Sequence, residues 1–557
     1  MINIFSTSTF YNKKFFISTF LLIILILNLF LFKNVYEEQS ITILFLEKIH
    51  SIPKDISKIL KLLYFFSLII SWSFFLNIIY QKFIIPTIPE KTKTNIHEKN
   101  SLIIGKSLSD GKIVSISEKG LYQNILITGT IGTGKTSSAM YPITKQLLNM
   151  GIGMLVLDVK GNFHEKVKEL SSNTNKKLIV IQLGGKYTYN PLDKPNLKPS
   201  ILANRIKTIL TLFSNQNTTD SYWLDKVELY LTECIKLCRL YNDNYVTFIE
   251  LHKLINDSKY LEDKISIVKN LFLSNSLNQS QVYDFKTSLE FFTSEFKSLD
   301  SRVLSIIQSE VSRITQLFVS DYEVAKTFCP DKANISFSGF ENLEDNIVVL
   351  NMNIAEYRNL SKIIATYLKL DFQSEVLMRL AKKNTIQPVA FVCDEYHEYA
   401  TQNDADFFSE SREAKCINIV STQSYTSLLN AVRENSAAKI IIQSLVNKIW
   451  FRTDDIFTIE EAQKQLGKED KTKYSHTISE NAKETKFNYI LNNFKSSNSN
   501  ISESISSQIH HDFIYDINTF SRELRTFEAI CFLSNGYEIL KPQILQLTPE
   551  FKANRFI

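Results

Sequence analysis

Residues 129–136 read GTIGTGKT, and nowhere else in the chain do residue types and spacing promise chemistry so plainly. Three of the 14 glycines, Gly129, Gly132 and Gly134, fall inside this segment, which satisfies GxxxxGK[ST]. In such a loop the glycines let successive backbone N–H groups close around phosphate oxygens, and the following helix turns its positive end toward them. The apolar run 125–127 supplies the strand the loop needs. The expected cradle comprises Gly129, Thr130, Ile131, Gly132, Thr133, Gly134, Lys135, Thr136 and Ser137. Lys135 would reach the β and γ phosphates of ATP, and Thr136 would ligate Mg2+.

A second constellation lies far along the chain, where the apolar run 388–393 ends in Asp394 and Glu395. Taken alone, an acidic pair after a strand marks a helix start, where carboxylates offset the dipole. Beside a phosphate-binding loop it acquires another meaning: Asp394 orients Mg2+ through water and Glu395 polarises the attacking water. Beyond it come a helical stretch near 404–414, the apolar strand 417–420, and then Ser421, Thr422 and Gln423. Gln423, at that strand's end, would lie beside the γ phosphate and position or sense the reaction, if it is more than a turn residue. Arg412, ahead of the strand, is either a surface arginine or a guanidinium that stabilises transition-state charge in a neighbouring subunit.

These residues can meet only if their strands belong to one parallel sheet with the carboxyl ends on a common edge. The strand pattern is interrupted at 200–319, where apolar residues recur three and four apart in segments such as 223–240 and 303–317, the mark of helices. Strand signals resume at 347–352, followed by a long helix over about 360–382. The polar stretch 470–510 contains KSSNSNISESISS, residues 495–507, which reads as a flexible loop. The apolar return at 529–533 is expected to close the sheet.

Upstream, residues 16–32 form an apolar run broken only by Ser18, Thr19 and Asn28, without a signal-peptide cleavage pattern, and 62–80 form a second, uncharged run containing Trp72. Two antiparallel membrane-spanning helices are expected. Because nucleotide is cytoplasmic, everything after Tyr80 is placed in the cytoplasm, and Lys82, Lys91 and Lys93 agree with that orientation. Residues 86–100, polar and proline-marked, read as a linker.

With 557 residues the chain exceeds one compact core, and 44% hydrophobic with 22% charged residues excludes disordered and collagen-like classes. A net charge of +5 permits contact with phosphate backbones without demanding it. The six cysteines form neither CxxC nor a metal cluster and read as reduced packing residues. No helix-turn-helix, zinc finger or aromatic-basic platform is evident, so any DNA contact is expected at the backbone and sensitive to salt.

GTIGTGKT, LVLDVKG at 155–161, YNPLD at 189–193, FVCDEYHEYA at 391–400 and SREAKCINIVSTQSYTSL at 411–428 together resemble, in this order, the TraG/TraD-like type IV coupling proteins. The resemblance covers roughly residues 100–470 and the two spans. It implies an α/β RecA-like P-loop NTPase domain, residues 101–199 and 320–557, with an inserted all-α domain at 200–319 implicated in substrate recognition. It further implies a homo-hexamer of the HerA/FtsK type in the bacterial inner membrane. Such an ATPase would feed relaxase-bound DNA or protein into a type IV secretion channel. The family's phosphate-binding residues fall on Lys135 and Thr136, its metal-binding aspartate on Asp394, its catalytic glutamate on Glu395, its trans-acting arginine on Arg412 and its sensor glutamine on Gln423. Asp158, Lys160 and Gly161 match the family's DxKG segment, with a site-shaping role. Two other readings start from the same residues: a double-stranded DNA pump, whose extra spans and terminal DNA-reading domain are not evident, and a low-turnover docking platform, against which the intact hydrolysis set speaks. An ABC-type importer lacks support because no LSGGQ-like segment lies between the loop and Asp394.

Overall fold

Runs of branched apolar residues set the centre of the fold. The structure, a computed structural model, describes residues 101–550 apart from 159, 162, 173, 213–218, 297, 333–342, 382–386, 433, 482–485, 489–492 and 496–499. Both expected spans and the linker lie outside the described residues. Among the described residues no helix is long and apolar enough to cross a membrane.

The strands are β1 (Leu102–Ser107), β2 (Ile113–Ile116), β3 (Ile125–Thr128), β4 (Gly153–Asp158), β5 (Lys177–Ile181), β6 (Asn346–Asn351), β7 (Val389–Cys393), β8 (Cys416–Thr422) and β9 (Asn447–Phe451). They continue with β10 (Lys468–Asn481), β11 (Lys486–Asn488), β12 (Asn493–Lys495), β13 (Asn500–Phe513), β14 (Glu528–Phe532) and β15 (Gln543–Gln546). Eleven of them form one sheet in the order β2-β1-β15-β14-β9-β3-β8-β7-β4-β6-β5. From β9 to β5 every pairing is parallel. The remaining strands are added antiparallel through β14.

Parallel strands covered by helices on both faces are buried at every position and largely apolar. β3, β4, β7, β8 and β9 are accordingly buried throughout. Their side chains alternate between two cores, as the two-residue period of a strand requires. Leu155, Leu157, Phe391 and Cys393 face one core, while Met154, Val156, Ala390 and Val392 face the other.

Between β5 and β6 the chain is helical from Pro199–Thr211 through Tyr322–Phe328. Polar residues whose side chains accept backbone N–H bonds start these helices: Thr247, Asp257, Asn278, Asp300 and Asp321, with a full capping box at Asn278 and Gln281. The helices pack on aromatic contacts such as Phe248 on Phe318, stacked with ring centroids 4.2 Å apart.

The long helix Ile354–Met378 joins this helical region to the sheet, and does so through buried charge. Asp371 is fully buried and accepts from Arg205 at 2.5 Å, Lys194 at 2.9 Å and the Tyr189 hydroxyl. Two residues earlier on the same helix, Lys369 is equally buried and donates to Asp404 at 2.5 Å. The YNPLD segment is therefore a structural junction: its tyrosine, and the lysine that follows it, hold the long helix.

One expectation fails. Residues 495–507 do not form a loop throughout, because Asn500 to Ser507 lie in β13, which pairs with β10 over fourteen positions from Lys468↔Phe513 to Asn481↔Asn500. Serine and asparagine suggest a loop by composition, yet a two-stranded ribbon with both faces open needs no continuous apolar pattern.

Candidate functional site

The register places the carboxyl ends of four parallel strands side by side: Thr128 of β3 pairs with Thr422 of β8, and Cys393 of β7 pairs with both Val420 of β8 and Leu157 of β4. Every sequence-predicted site residue except Arg412 follows one of these ends.

At the end of β3 the loop turns on glycines in conformations that side chains rarely adopt. Gly134 has φ 98°, and a Cβ there would lie 2.5 Å from the Phe527 ring. The loop is braced from β9: the N–H and the hydroxyl of Thr130 both donate to the Arg452 carbonyl, at 2.9 and 3.1 Å. Thr133 Oγ1 donates to the Thr130 carbonyl at 2.8 Å. Ile131 stands at the exposed rim, 80% accessible. Residues Lys135–Met140 form a π-helical turn that continues as the helix Tyr141–Asn149.

Lys135 is buried and folds back over the loop, donating to the carbonyls of Gly129 at 2.5 Å and Thr130 at 3.2 Å. Burial lowers its pKa, against the opposing pull of Glu395 and Asp394. Thr136 Oγ1 donates to Asp394 Oδ2 at 3.0 Å, so the glycine loop and the acidic pair meet although β8 stands between their strands. Ser137 is drawn into the same turn, its hydroxyl 3.4 Å from the Gly134 carbonyl.

Asp394 is fixed on its other oxygen by the Ser421 hydroxyl and by the Glu395 N–H at 3.1 Å. Glu395 is buried with φ 48°, a left-handed conformation that costs a non-glycine residue energy. Its Oε1 accepts from Lys160 Nζ at 3.1 Å, while Oε2, also buried, has no hydrogen-bond partner among the described residues. The nearest cationic candidate to Oε2 is His397 Nδ1 at 3.8 Å, beyond hydrogen-bond range. Burial lowers the pKa of His397, although Glu395 and Glu398 pull the other way.

Lys160 comes from the turn after β4, which Asp158 organises. One Asp158 oxygen accepts from the N–H groups of Lys160 and Gly161, at 3.0 and 3.1 Å. The other accepts from those of Phe163 and His164, starting the helix Phe163–Ser171. Burial raises the Asp158 pKa, with these N–H bonds acting against it. For Lys160 burial is the largest single influence and acts downward, but Asp394, Glu395 and Asp158 together leave its pKa above the ordinary value.

Gln423 reaches the site through its main chain, its carbonyl accepting from the Gly129 N–H at 3.2 Å. Arg412 does not reach it. It is exposed in the turn ahead of β8, at the amino end of a strand whose carboxyl end holds Ser421, so it stands across the sheet from its own chain's site. Sequence reasoning missed Ser421 and His397 as members of the cluster and gave Lys160 no partner.

A threonine hydroxyl and a carboxylate 3.0 Å apart form a pair of hard oxygen donors, and such a sparse set suits Mg2+, which keeps most of its waters and takes few protein ligands. With the Lys135 ammonium and the N–H groups of the loop, the arrangement fits a nucleoside triphosphate with its metal.

A family model described as type IV secretory system conjugative DNA transfer matches residues 81–331, and one described as the TraM recognition site of TraD and TraG matches 388–512. No curated protein sequence matches the chain. Among solved structures, the unbound monoclinic form of the bacterial conjugative coupling protein TrwBΔN70 aligns with a TM-score of 0.55 at 13% identity, over 80% of this chain and 89% of that one. TrwB with ADP and Mg2+ aligns at 0.52 and 13% identity, over 78% and 88%. TrwB with a non-hydrolysable ATP analogue gives 0.52 and 13%, over 78% and 87%. At such identities the likeness is one of fold, the RecA-like P-loop arrangement of a largely parallel sheet.

Proposed function

Because the chain belongs to the TraG/TraD-like type IV coupling proteins, we propose that it is a membrane-anchored ATPase that couples ATP hydrolysis to the recruitment and translocation of DNA, with its attached relaxase, or of protein into a type IV secretion channel. The observation that carries this reading is the 3.0 Å contact between Thr136 and Asp394, which joins two segments distant in sequence into one nucleotide grip.

In this reading the N–H groups of 129–136 and the Lys135 ammonium hold the phosphates; an anionic phosphate is a stronger partner for Lys135 than the two carbonyls it now contacts. Thr136 and Asp394 hold Mg2+, which when bound offsets phosphate charge. Glu395 orients the attacking water through its free carboxylate oxygen. The main-chain bond from Gly129 to Gln423 ties the phosphate loop to the end of β8, where Gln423 reports on the γ phosphate. Arg412, remote from its own site, serves a neighbouring copy, in keeping with a homo-hexamer. DNA is held through its backbone without sequence preference, and binding weakens steeply with salt. Residues 16–32 and 62–80 anchor the chain in the bacterial inner membrane, with the ATPase domain in the cytoplasm.

The test uses the purified full-length chain in detergent or nanodiscs. ATP turnover should rise on addition of DNA and vanish in Lys135→Ala. Turnover that survives Lys135→Ala would overturn the assignment; turnover dependent on Lys135 but indifferent to DNA would make the client a protein.

A further inference from the structure

We propose that Lys160 is a positioning residue for ATP hydrolysis: by pinning one oxygen of Glu395 it leaves the other as the acceptor for the attacking water. This rests on the nucleotide-hydrolysing reading above and goes beyond it, since the DxKG segment otherwise has only a general shaping role.

Three features of the cluster converge on Lys160. The first is the asymmetry of the Glu395 carboxylate. Oε1 takes the ammonium at 3.1 Å, while Oε2 is shielded from solvent and accepts from none of the described residues. Buried acceptors are almost always satisfied, so one left open in a cluster of this kind is suited to a group that arrives with substrate. The second is the backbone. Glu395 sits just past the end of β7 in a left-handed conformation, φ 48°, which does not by itself select a rotamer. A partner outside the strand has to do so.

The third is that the donor is itself preorganised. Lys160 is the second residue of a turn whose N–H groups at Lys160, Gly161, Phe163 and His164 all converge on Asp158. Gly161 is required there. Its φ is +71°, and a Cβ would approach the Asn353 Cβ to 3.2 Å. β4 and β7 are paired through Leu157↔Cys393, so the turn after one strand faces the residue after the other. The half-exposed Lys160 stem thus crosses a short, fixed gap.

Phosphoryl transfer passes through a loose transition state in which the aim of the water matters more than the strength of the base. A pinned carboxylate serves aim.

The experiment measures steady-state ATP turnover and nucleotide-analogue affinity in the full-length chain, side by side for wild type, Lys135→Ala, Lys160→Met and Lys160→Arg. Misplacement of a reacting group by about 1 Å can reduce rate roughly 100-fold. Lys160→Met should therefore lose about 10- to 100-fold in kcat with KM and analogue affinity within about twofold of wild type, and Lys160→Arg should recover most of the loss. A purely structural lysine would lower folded yield and affinity together and would not discriminate arginine from methionine. Lys160→Met at the wild-type kcat, beside an inactive Lys135→Ala, sinks the positioning role alone. Lys160→Arg no better than Lys160→Met does the same. A wild-type rate that Lys135→Ala leaves untouched sinks the hydrolysis reading itself.

Discussion

Replacing Asp371 by asparagine keeps the shape of the side chain and removes its charge. The structure says where the damage should fall. Asp371 has 0% side-chain exposure and faces Lys194, 1% exposed, at 2.9 Å and Arg205, 7% exposed, at 2.5 Å. At an effective dielectric of about 20 each contact is worth roughly 6 kcal/mol of gross attraction, most of it offset by the desolvation of the ions. Deleting the shared carboxylate withdraws that attraction and keeps the desolvation of both cations, a loss of about 3–5 kcal/mol. In thermal unfolding this should appear as a drop on the order of 3–5 °C. Hydrogen exchange should locate the loosened region at Pro199–Thr211 and the middle of Ile354–Met378. The companion variant replaces all three charges: Lys194→Met, Arg205→Met and Asp371→Leu. Because well-packed apolar groups can substitute for a buried ion cluster at little cost, the triple variant should be more stable than Asp371→Asn. An Asp371→Asn protein that melts with the wild type, or a triple variant less stable than the single one, would refute the reasoning.

Other outcomes follow from the same geometry. Gly134→Ala forces both a left-handed φ of 98° and a Cβ 2.5 Å from the Phe527 ring, so nucleotide affinity should fall at least tenfold by calorimetry, with a stability loss of about 2–4 kcal/mol. Lys448, wholly buried and donating to the carbonyls of Ile442 and Leu445, has its pKa pushed down to about 7 by burial. Unfolded, it titrates near 10.4, so between about pH 7 and 10 the unfolded chain binds more protons and this residue's contribution to stability improves as pH rises. The stability of wild type relative to Lys448→Met should therefore increase over that window in urea titrations; a flat or falling difference would contradict it. Arg412→Ala should abolish turnover without changing nucleotide affinity. Mixed with Lys135→Ala it should restore part of the rate if the two act across copies, and unrestored activity in such mixtures would argue against a trans role.

The chemistry was legible wherever it is dense in sequence. The glycine loop and the acidic pair announce themselves because phosphate binding needs particular residues at fixed spacing, and the buried strands do so because both faces must be apolar. What the sequence hides is adjacency. Nothing local says that β8 slots between β3 and β7, so Ser421 looks like a strand terminus until its hydroxyl is found on Asp394. Lys160 and Glu395 are likewise unremarkable as a pair until β4 and β7 are neighbours. The ribbon of β10 and β13 escapes a reading by composition because a serine-rich segment signals a loop more strongly than a strand. Ile505 and Ile509 recur at even spacing, which sets them on one face of β13.

The interposition of β8 has a mechanical corollary. Arg412 lies in the turn four residues ahead of this strand, while Ser421 and Gln423, which contact Asp394 and Gly129, stand at its far end, roughly 20 Å along a strand of seven residues. Extended backbone locked between two partners is stiff along its length. A displacement of the strand along its axis would therefore reach the acidic and phosphate-binding halves of the pocket together, since both are bonded to its carboxyl end.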